Sequence, residues 1–213
     1  LNAELPQRLL RLANSWVYAI LIVLALVTVQ ATNIDIVRAD IYYKQGLKLE
    51  EDGRYDLAVQ LYDRAIQRTP SQDYYYLFLG RALMGRAGTA ADNTERIQWF
   101  EKSYAALDKA RLLNPLNTDH YANLARLSRN WADVAPTEEE RAQKLEQAHD
   151  FYVKATTLSP HNVQLLNEWA MVYMARNDND GALEKINQSL ALDPKFYSTH
   201  LLLGNYYASQ SDL

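Results

Sequence analysis

The sequence contains no cysteine, and this absence excludes disulfide bonds, thiolate nucleophiles and cysteine-based metal sites. Glycine and proline are scarce, with 7 and 6 copies among 213 residues, which favours long helices joined by few sharp turns. Positive charge is not in excess, because 22 Lys and Arg stand against 26 Asp and Glu. This balance argues against a nucleic-acid-binding protein, which normally carries a basic surface, so we expect no nucleic-acid partner.

Sequence features of a catalytic or metal centre are also missing. There are four histidines: His120, His149, His161 and His200. None has a partner at the spacing of a helical zinc site, and the chain has neither a Gly-rich phosphate loop nor a GxSxG motif. The acidic residues 138–140 fall where a helix is expected to begin, a position at which acids complement the helix dipole. We therefore expect no enzymatic activity and no cofactor.

Four prolines divide the chain into segments of similar pattern. Each follows an apolar helical stretch: Pro70 in AIQRTP, Pro115 in ARLLNP, Pro160 in ATTLSP and Pro194 in SLALDP. The spacings between them are 45, 45 and 34 residues. Regularity of this kind is typical of a repeat array and not of a single globule.

Residues 39–72 show the pattern within one segment. Small residues stand at Gly46, Ala58 and Ala65, where two helices would cross closely, and large residues stand at Tyr42 and Tyr62 to fill the space between them. This spacing resembles the tetratricopeptide repeat (TPR), a helix–turn–helix unit of 34 residues. The resemblance implies an all-α TPR superhelical solenoid with four full units and the first helix of a fifth.

The predicted units have the following limits. They are 39–72, 73–117, 118–162 and 163–196, followed by 197–213 as the first helix of a truncated fifth unit. A first helix without its second would leave an apolar face uncovered, so we expect the natural chain to continue.

The second and third units are each 11 residues longer than the pattern requires. Eleven residues make about three α-helical turns, so added helix keeps its apolar face in phase. Asp92 with Glu95, and Thr137 with Glu140, have the spacing of a capping box. We therefore expect second helices of roughly 20 residues in these two units, against about 14 in the others.

An uncharged stretch precedes the repeats, from Leu12 to Ile34. At 1.5 Å per residue it makes about 34 Å of helix, enough to cross a bilayer core of roughly 30 Å. We therefore expect an amphipathic juxtamembrane segment at 1–15 and a transmembrane helix at 16–34 that contacts the lipid bilayer. Two alternatives stay open: a signal peptide cleaved after Ala31, and a buried core helix.

The charges that flank this helix do not by themselves decide its orientation. Arg8 and Arg11 precede it, and Arg38 and Lys44 follow it, so the positive charges are almost balanced. We adopt the orientation with a cytoplasmic N-terminal side, which places the repeats next to the extracytoplasmic surface of a bacterial plasma (inner) membrane.

The TPR resemblance also implies a concave face, lined by the first helix of each unit, that holds a protein partner or peptide. We expect the contacting residues to be Tyr43, Leu47, Tyr74, Leu77, Arg81, Met84, Arg126, Arg129, Asn167 and Met171. The arginines would suit an acidic partner. Some TPR proteins clamp a C-terminal carboxylate with Lys and Asn; here Tyr43, Leu47 and Asp119 occupy such positions, so that activity is not expected.

Three functional hypotheses follow. The first is a membrane-anchored TPR scaffold for protein–protein interaction, for example as an accessory subunit of a multi-subunit membrane complex. The second rests on NIDIVRADIYYKQGL, where a last hydrophobic helix runs into repeats and resembles bacterial O-antigen ligase or polymerase-like proteins. That resemblance implies the non-catalytic C-terminal region of a polytopic glycan transferase. The third, a secreted soluble binding protein, requires cleavage after Ala31.

Overall fold

The computed structural model describes the backbone of residues 7–211 and the side chains of residues 15–30 and 33–210. The predicted amphipathic segment 1–15 therefore lies almost entirely outside the described side chains. The described backbone forms ten α-helices, one π-helical segment and no strand. In chain order these are α1 (Gln7–Val29), the π-helical segment (Gln30–Ile34), α2 (Asp35–Glu51), α3 (Tyr55–Arg68), α4 (Asp73–Ala87), α5 (Asn93–Leu113), α6 (Thr118–Ala132), α7 (Glu138–Leu158), α8 (Val163–Ala175), α9 (Asn179–Leu192) and α10 (Tyr197–Ser211).

From α2 onward the helices form a TPR-like solenoid. The closest neighbours are α2 with α3, α4 with α5, α6 with α7 and α8 with α9. The first helices also touch one another in series, from α2 through α4, α6 and α8 to α10. The expected all-α solenoid is therefore confirmed, although α2 begins at Asp35, before the predicted start of the first unit. The unit limits themselves stay a prediction.

Small residues allow the two helices of a unit to cross closely. Gly46 of α2 faces Tyr62 of α3, and a Cβ added to Gly46 would stand 2.6 Å from the Tyr62 ring. Gly80 of α4 faces Leu107 of α5, and a Cβ there would stand 2.5 Å from Leu107 Cγ. Both large partners are fully buried, so neither can move aside without repacking the core.

Most of the extra length of the second and third units lies in longer second helices, as expected. Helices α5 and α7 have 21 residues each, whereas α3 and α9 have 14. The backbone N–H of Glu95 donates to Asp92 Oδ1 at 2.8 Å, and that of Glu140 donates to Thr137 Oγ1 at 3.2 Å. These bonds satisfy N–H groups that the first turn of a helix leaves free, so they fix where the long helices begin.

Buried polar bonds join neighbouring units. His120 Nε2 of α6 lies 2.7 Å from Asp73 Oδ2 of α4. The His120 side chain is fully buried. Asn167 of α8 donates to Thr199 Oγ1 of α10 at 2.8 Å. A buried polar group left without a partner is costly, so these bonds favour one register between adjacent first helices.

Helix α1 continues through the π-helical segment into α2 without leaving helical dihedral angles. Its side chains from Trp16 to Val29 are all exposed. In the part of the chain whose placement is described, no helix is long and apolar enough to cross a membrane. The transmembrane helix expected at 16–34 is therefore not supported.

Substituting Gly80 by Ala should destabilise the array by about 1–3 kcal/mol, because the new methyl group would overlap Leu107. Gly204 of α10 is the matched control, since a Cβ there meets nothing within 4 Å. Gly204→Ala should leave stability unchanged or raise it by up to about 1 kcal/mol through helix propensity. Urea unfolding followed by circular dichroism compares the two. Equal midpoints would show that close helix crossing does not limit stability.

Candidate functional site

A groove of about 550 Å³ lies where the first helices α2, α4 and α6 stand side by side. Its lining residues are Leu47, Glu50, Glu51, Tyr55, Phe78, Arg81, Met84, Gly85 and Asn130. Three of the residues expected from the sequence therefore come together here, namely Leu47, Arg81 and Met84. The groove combines apolar surface with groups of both charges, which is the composition of a site for a peptide or a helix.

Arg81 is held in place by the wall of the groove. Its Nη2 lies 3.0 Å from Glu50 Oε1, and its guanidinium stands 4.7 Å from the centre of the Phe78 ring. Glu50 also accepts a hydrogen bond from the Tyr62 hydroxyl at 2.8 Å. The charge of Arg81 is thus compensated within the chain, although its side chain stays 42% exposed.

Arg126 is likewise paired. Its Nε and Nη2 donate to the two carboxylate oxygens of Glu168 at 2.8 and 3.0 Å, which is the two-pronged geometry that guanidinium groups favour. The Tyr152 hydroxyl donates to the same carboxylate at 3.1 Å. Arg126 therefore joins α6 to α8, and its role in the structure is to fix the spacing of these helices.

Arg129 differs from the other two arginines. It donates to Met171 Sδ at 3.4 Å and to Asn130 Oδ1 at 3.3 Å. Among the described residues it makes no ion pair with a carboxylate. Asn130 in turn donates to Met84 Sδ at 3.7 Å, so the contacts of Arg129 lead back into the groove.

Tyr43 and Tyr74 belong to a half-buried aromatic cluster at the α2–α4 end. The ring centres of Tyr43 and Tyr74 are 5.2 Å apart, and Phe78 lies 4.9 Å from Tyr43. The hydroxyls of Tyr74 and Tyr75 both donate to Asp40 Oδ1, at 2.7 and 2.8 Å. Because these two hydrogen bonds favour the carboxylate, they lower the pKa of Asp40, and nearby Lys44 lowers it further against the opposing effect of burial.

Two of the expected residues lie beneath the surface. Leu77 and Asn167 are each only 6% exposed, and Asn167 is bonded to Thr199. Met171, in contrast, is 40% exposed. The structure therefore does not place Leu77 and Asn167 where they would contact a partner.

Six lining residues are not among those expected from the sequence: Glu50, Glu51, Tyr55, Phe78, Gly85 and Asn130. Phe78 lies three residues before Arg81 on α4, and Asn130 lies four residues after Arg126 on α6, so each shares a helix face with an expected residue. Helical spacing alone could have included them. Tyr55 begins α3, and only the fold shows that it reaches the groove.

Comparisons with known proteins agree with this architecture. Residues 43–110 match the family model of the tetratricopeptide repeat. A thermophilic TPR protein of Thermus thermophilus is 21% identical, with a TM-score of 0.65 over 81% of this chain and 82% of that one. The PilF protein of Pseudomonas aeruginosa is 18% identical, with a TM-score of 0.58 over 84% of this chain and 71% of that one.

A third solved structure contains a ligand. The first TPR domain of Spaghetti (RPAP3), bound to the HSP90 peptide SRMEEVD, is 20% identical, with a TM-score of 0.50 over 67% of this chain and 95% of that one. At such identities the likeness shows the fold alone. No curated protein matches the chain. The expected resemblance to O-antigen ligase-like proteins is not shown by these comparisons.

Asp40→Asn should destabilise the array by about 1 kcal/mol near neutral pH, since it removes the charge that the two tyrosine hydroxyls solvate. Because the pKa of Asp40 is lower in the folded state than in the unfolded state, where it is about 3.9, its carboxylate stabilises the fold at pH values above about 3.9. This stabilisation is lost as the pH falls through the folded-state pKa. The difference from wild type should therefore shrink as the pH falls below about 3.9. Urea unfolding as a function of pH measures it. Asp150→Asn, on the exposed surface of α7, is the control and should match wild type throughout.

Proposed function

We propose that the chain is a protein–protein interaction scaffold that binds a peptide or helix of a partner in the groove between α2, α4 and α6. The observation that carries this proposal is the groove itself, whose walls come from successive first helices of a TPR-like solenoid. The TPR domain of Spaghetti has a peptide bound, which supports a peptide as the kind of ligand. TPR arrays generally act as non-catalytic scaffolds, and we propose no enzymatic activity.

The groove is suited to binding because its walls are already ordered. Glu50 forms an ion pair with Arg81, and Glu168 forms one with Arg126. Because both arginine side chains are already ordered, they lose little conformational freedom when a partner binds. Ordering side chains at an interface costs roughly 0.5–1.5 kcal/mol for each one immobilised. A partner therefore meets a preorganised surface with open space in front of Leu47 and Met84.

Met84→Glu should abolish partner binding, because it puts a carboxylate into the groove beside the acidic Glu50 and Glu51. Leu112→Glu is the matched control, since Leu112 is 61% exposed on α5, outside the groove. Proteins captured from native membrane extracts should be recovered with wild type and with Leu112→Glu but lost with Met84→Glu. Circular dichroism and melting temperature verify that both variants fold. Capture that is unchanged by Met84→Glu would refute the groove as the binding site.

We also propose that α1 attaches the array to a membrane. Every described side chain from Trp16 to Val29 is exposed and none is charged, so the helix is apolar on all sides of its circumference. Its Thr28 hydroxyl donates to the carbonyl of Leu24 at 2.8 Å, which satisfies the hydroxyl without water. A helix that is apolar all round is normally covered by protein or lipid.

Attachment through α1 predicts that the chain floats with vesicles of phosphatidylcholine and phosphatidylglycerol in a density gradient. The double variant Val23→Asp, Leu24→Asp should reduce vesicle binding by on the order of 100-fold or more, because each acid costs about 3 kcal/mol in the bilayer interior. The matched control is Leu116→Asp, Leu201→Asp, which changes two exposed apolar residues of the array. If the two double variants float equally well, α1 is not the membrane contact.

The remaining expectations extend this proposal. We place the array next to the extracytoplasmic surface of a bacterial inner membrane, as an accessory subunit of a membrane complex. The alternative, a non-catalytic C-terminal region of an O-antigen ligase-like glycan transferase, predicts that a polytopic protein carries these repeats. Sequencing of the full-length protein recovered from native membranes distinguishes the two, because a polytopic glycan transferase would carry several further hydrophobic spans before these repeats.

A further inference from the structure

A row of side chains that begins in the groove links three first helices through side-chain contacts. We name the residues Met84, Asn130, Arg129 and Met171 the Arg129 strip. Asn130 Nδ2 lies 3.7 Å from Met84 Sδ, Arg129 Nη2 lies 3.3 Å from Asn130 Oδ1, and Arg129 Nη1 lies 3.4 Å from Met171 Sδ. The strip thus runs from α4 across α6 to α8.

The positive charge of this strip has no counter-charge in the described structure. Arg81 and Arg126, the other two arginines expected on the concave face, lie 3.0 and 2.8 Å from carboxylates. The contacts of Arg129 are a neutral amide oxygen and a thioether sulfur; neither carries a negative charge, and the sulfur is a weak acceptor. Arg129 is also half-buried, so water screens its charge only in part. A carboxylate from outside the chain would form the ion pair that Arg129 lacks.

A methionine lies at each end of the strip that contains the Arg129 charge. The chain has only three methionines, and two of them, Met84 and Met171, lie at the ends of the strip. The third, Met174, follows three residues after Met171 on α8 and so shares its face. Methionine side chains are flexible and polarizable, and they adapt to apolar side chains of varied shape. The strip therefore offers an apolar subsite directly beside a cation.

The opposite end of the groove carries negative charge. Glu50 is engaged by Arg81 and Tyr62, whereas Glu51 is exposed and makes no ion pair within the described part of the chain. A ligand that is acidic along its whole length would meet repulsion at Glu51. Charge therefore orients the ligand, with its acidic part over α6 and α8 and a neutral or basic part over α2.

Resting on the proposed function, we propose that the Arg129 strip selects a peptide segment in which an Asp or Glu adjoins a long apolar side chain. The carboxylate pairs with Arg129, and the apolar side chain packs against Met84 or Met171. The acid in this proposal is an internal side chain and not a chain terminus, because the row of first helices continues beyond the strip, from α8 to α10.

Selection from a display library of random linear peptides, joined to their carrier through the C-terminus, tests this specificity. Peptides enriched on the wild-type chain should carry Asp or Glu next to Leu, Met or Phe. A synthetic, C-terminally amidated copy of an enriched peptide should bind Arg129→Gln about tenfold more weakly in fluorescence polarisation. Replacing the acid of the peptide by its amide should cost a similar factor, and combining both changes should cost no more than either alone.

Arg64→Gln is the matched control, because Arg64 is an exposed arginine of α3, away from the groove lining. It should bind the peptide like wild type. Enriched peptides without an acid, or equal binding by Arg129→Gln and wild type, would overturn the inference while leaving the groove as the binding site. Failure to select any peptide whose binding is lost in Met84→Glu would instead overturn the proposed function and this inference with it.

Discussion

The close crossing of the two helices within each unit is the constraint on which the rest of the structure depends. At Gly46 and Gly80 the backbone of a first helix lies against Tyr62 or Leu107 of the second, with no space for a methyl group. Because the two helices approach so closely, their relative position is fixed, and so is the direction in which the next unit stacks. The spacing of the helices around the groove thus depends on pairs of one small and one large residue.

The charges of the first helices serve two different purposes. The pairs Arg81–Glu50 and Arg126–Glu168 cross from one unit to the next and hold the groove walls at a fixed distance. Arg129 lacks such a pair in the described structure and lies beside methionine, which is why we propose it as a contact for a partner. Chemically identical side chains on one face therefore differ in their surroundings because of what the neighbouring unit places opposite them.

The apolar helix α1 is connected rigidly to the array. It continues through the π-helical segment into α2, and Asp35 at the start of α2 accepts hydrogen bonds from Gln30 at 3.1 Å and from Arg68 of α3 at 3.3 Å. Whatever surface covers α1 would therefore also orient the groove. With a flexible linker, the surface that covers α1 would not determine the orientation of the groove. The structure has a continuous helix at this position instead.

The sequence by itself determined the local and periodic features of this protein. Prolines, capping residues and small residues at fixed spacing depend only on neighbours along the chain, so α5 and α7, with their Asp92 and Thr137 caps, were predictable. The tertiary structure decided the rest. It buried Leu77 and Asn167, paired Arg126 with Glu168, which is 42 residues away, and brought Tyr55 to the groove. These outcomes depend on how one unit stacks on the next, and a repeat pattern specifies the positions in a unit but not what the adjacent unit places against them.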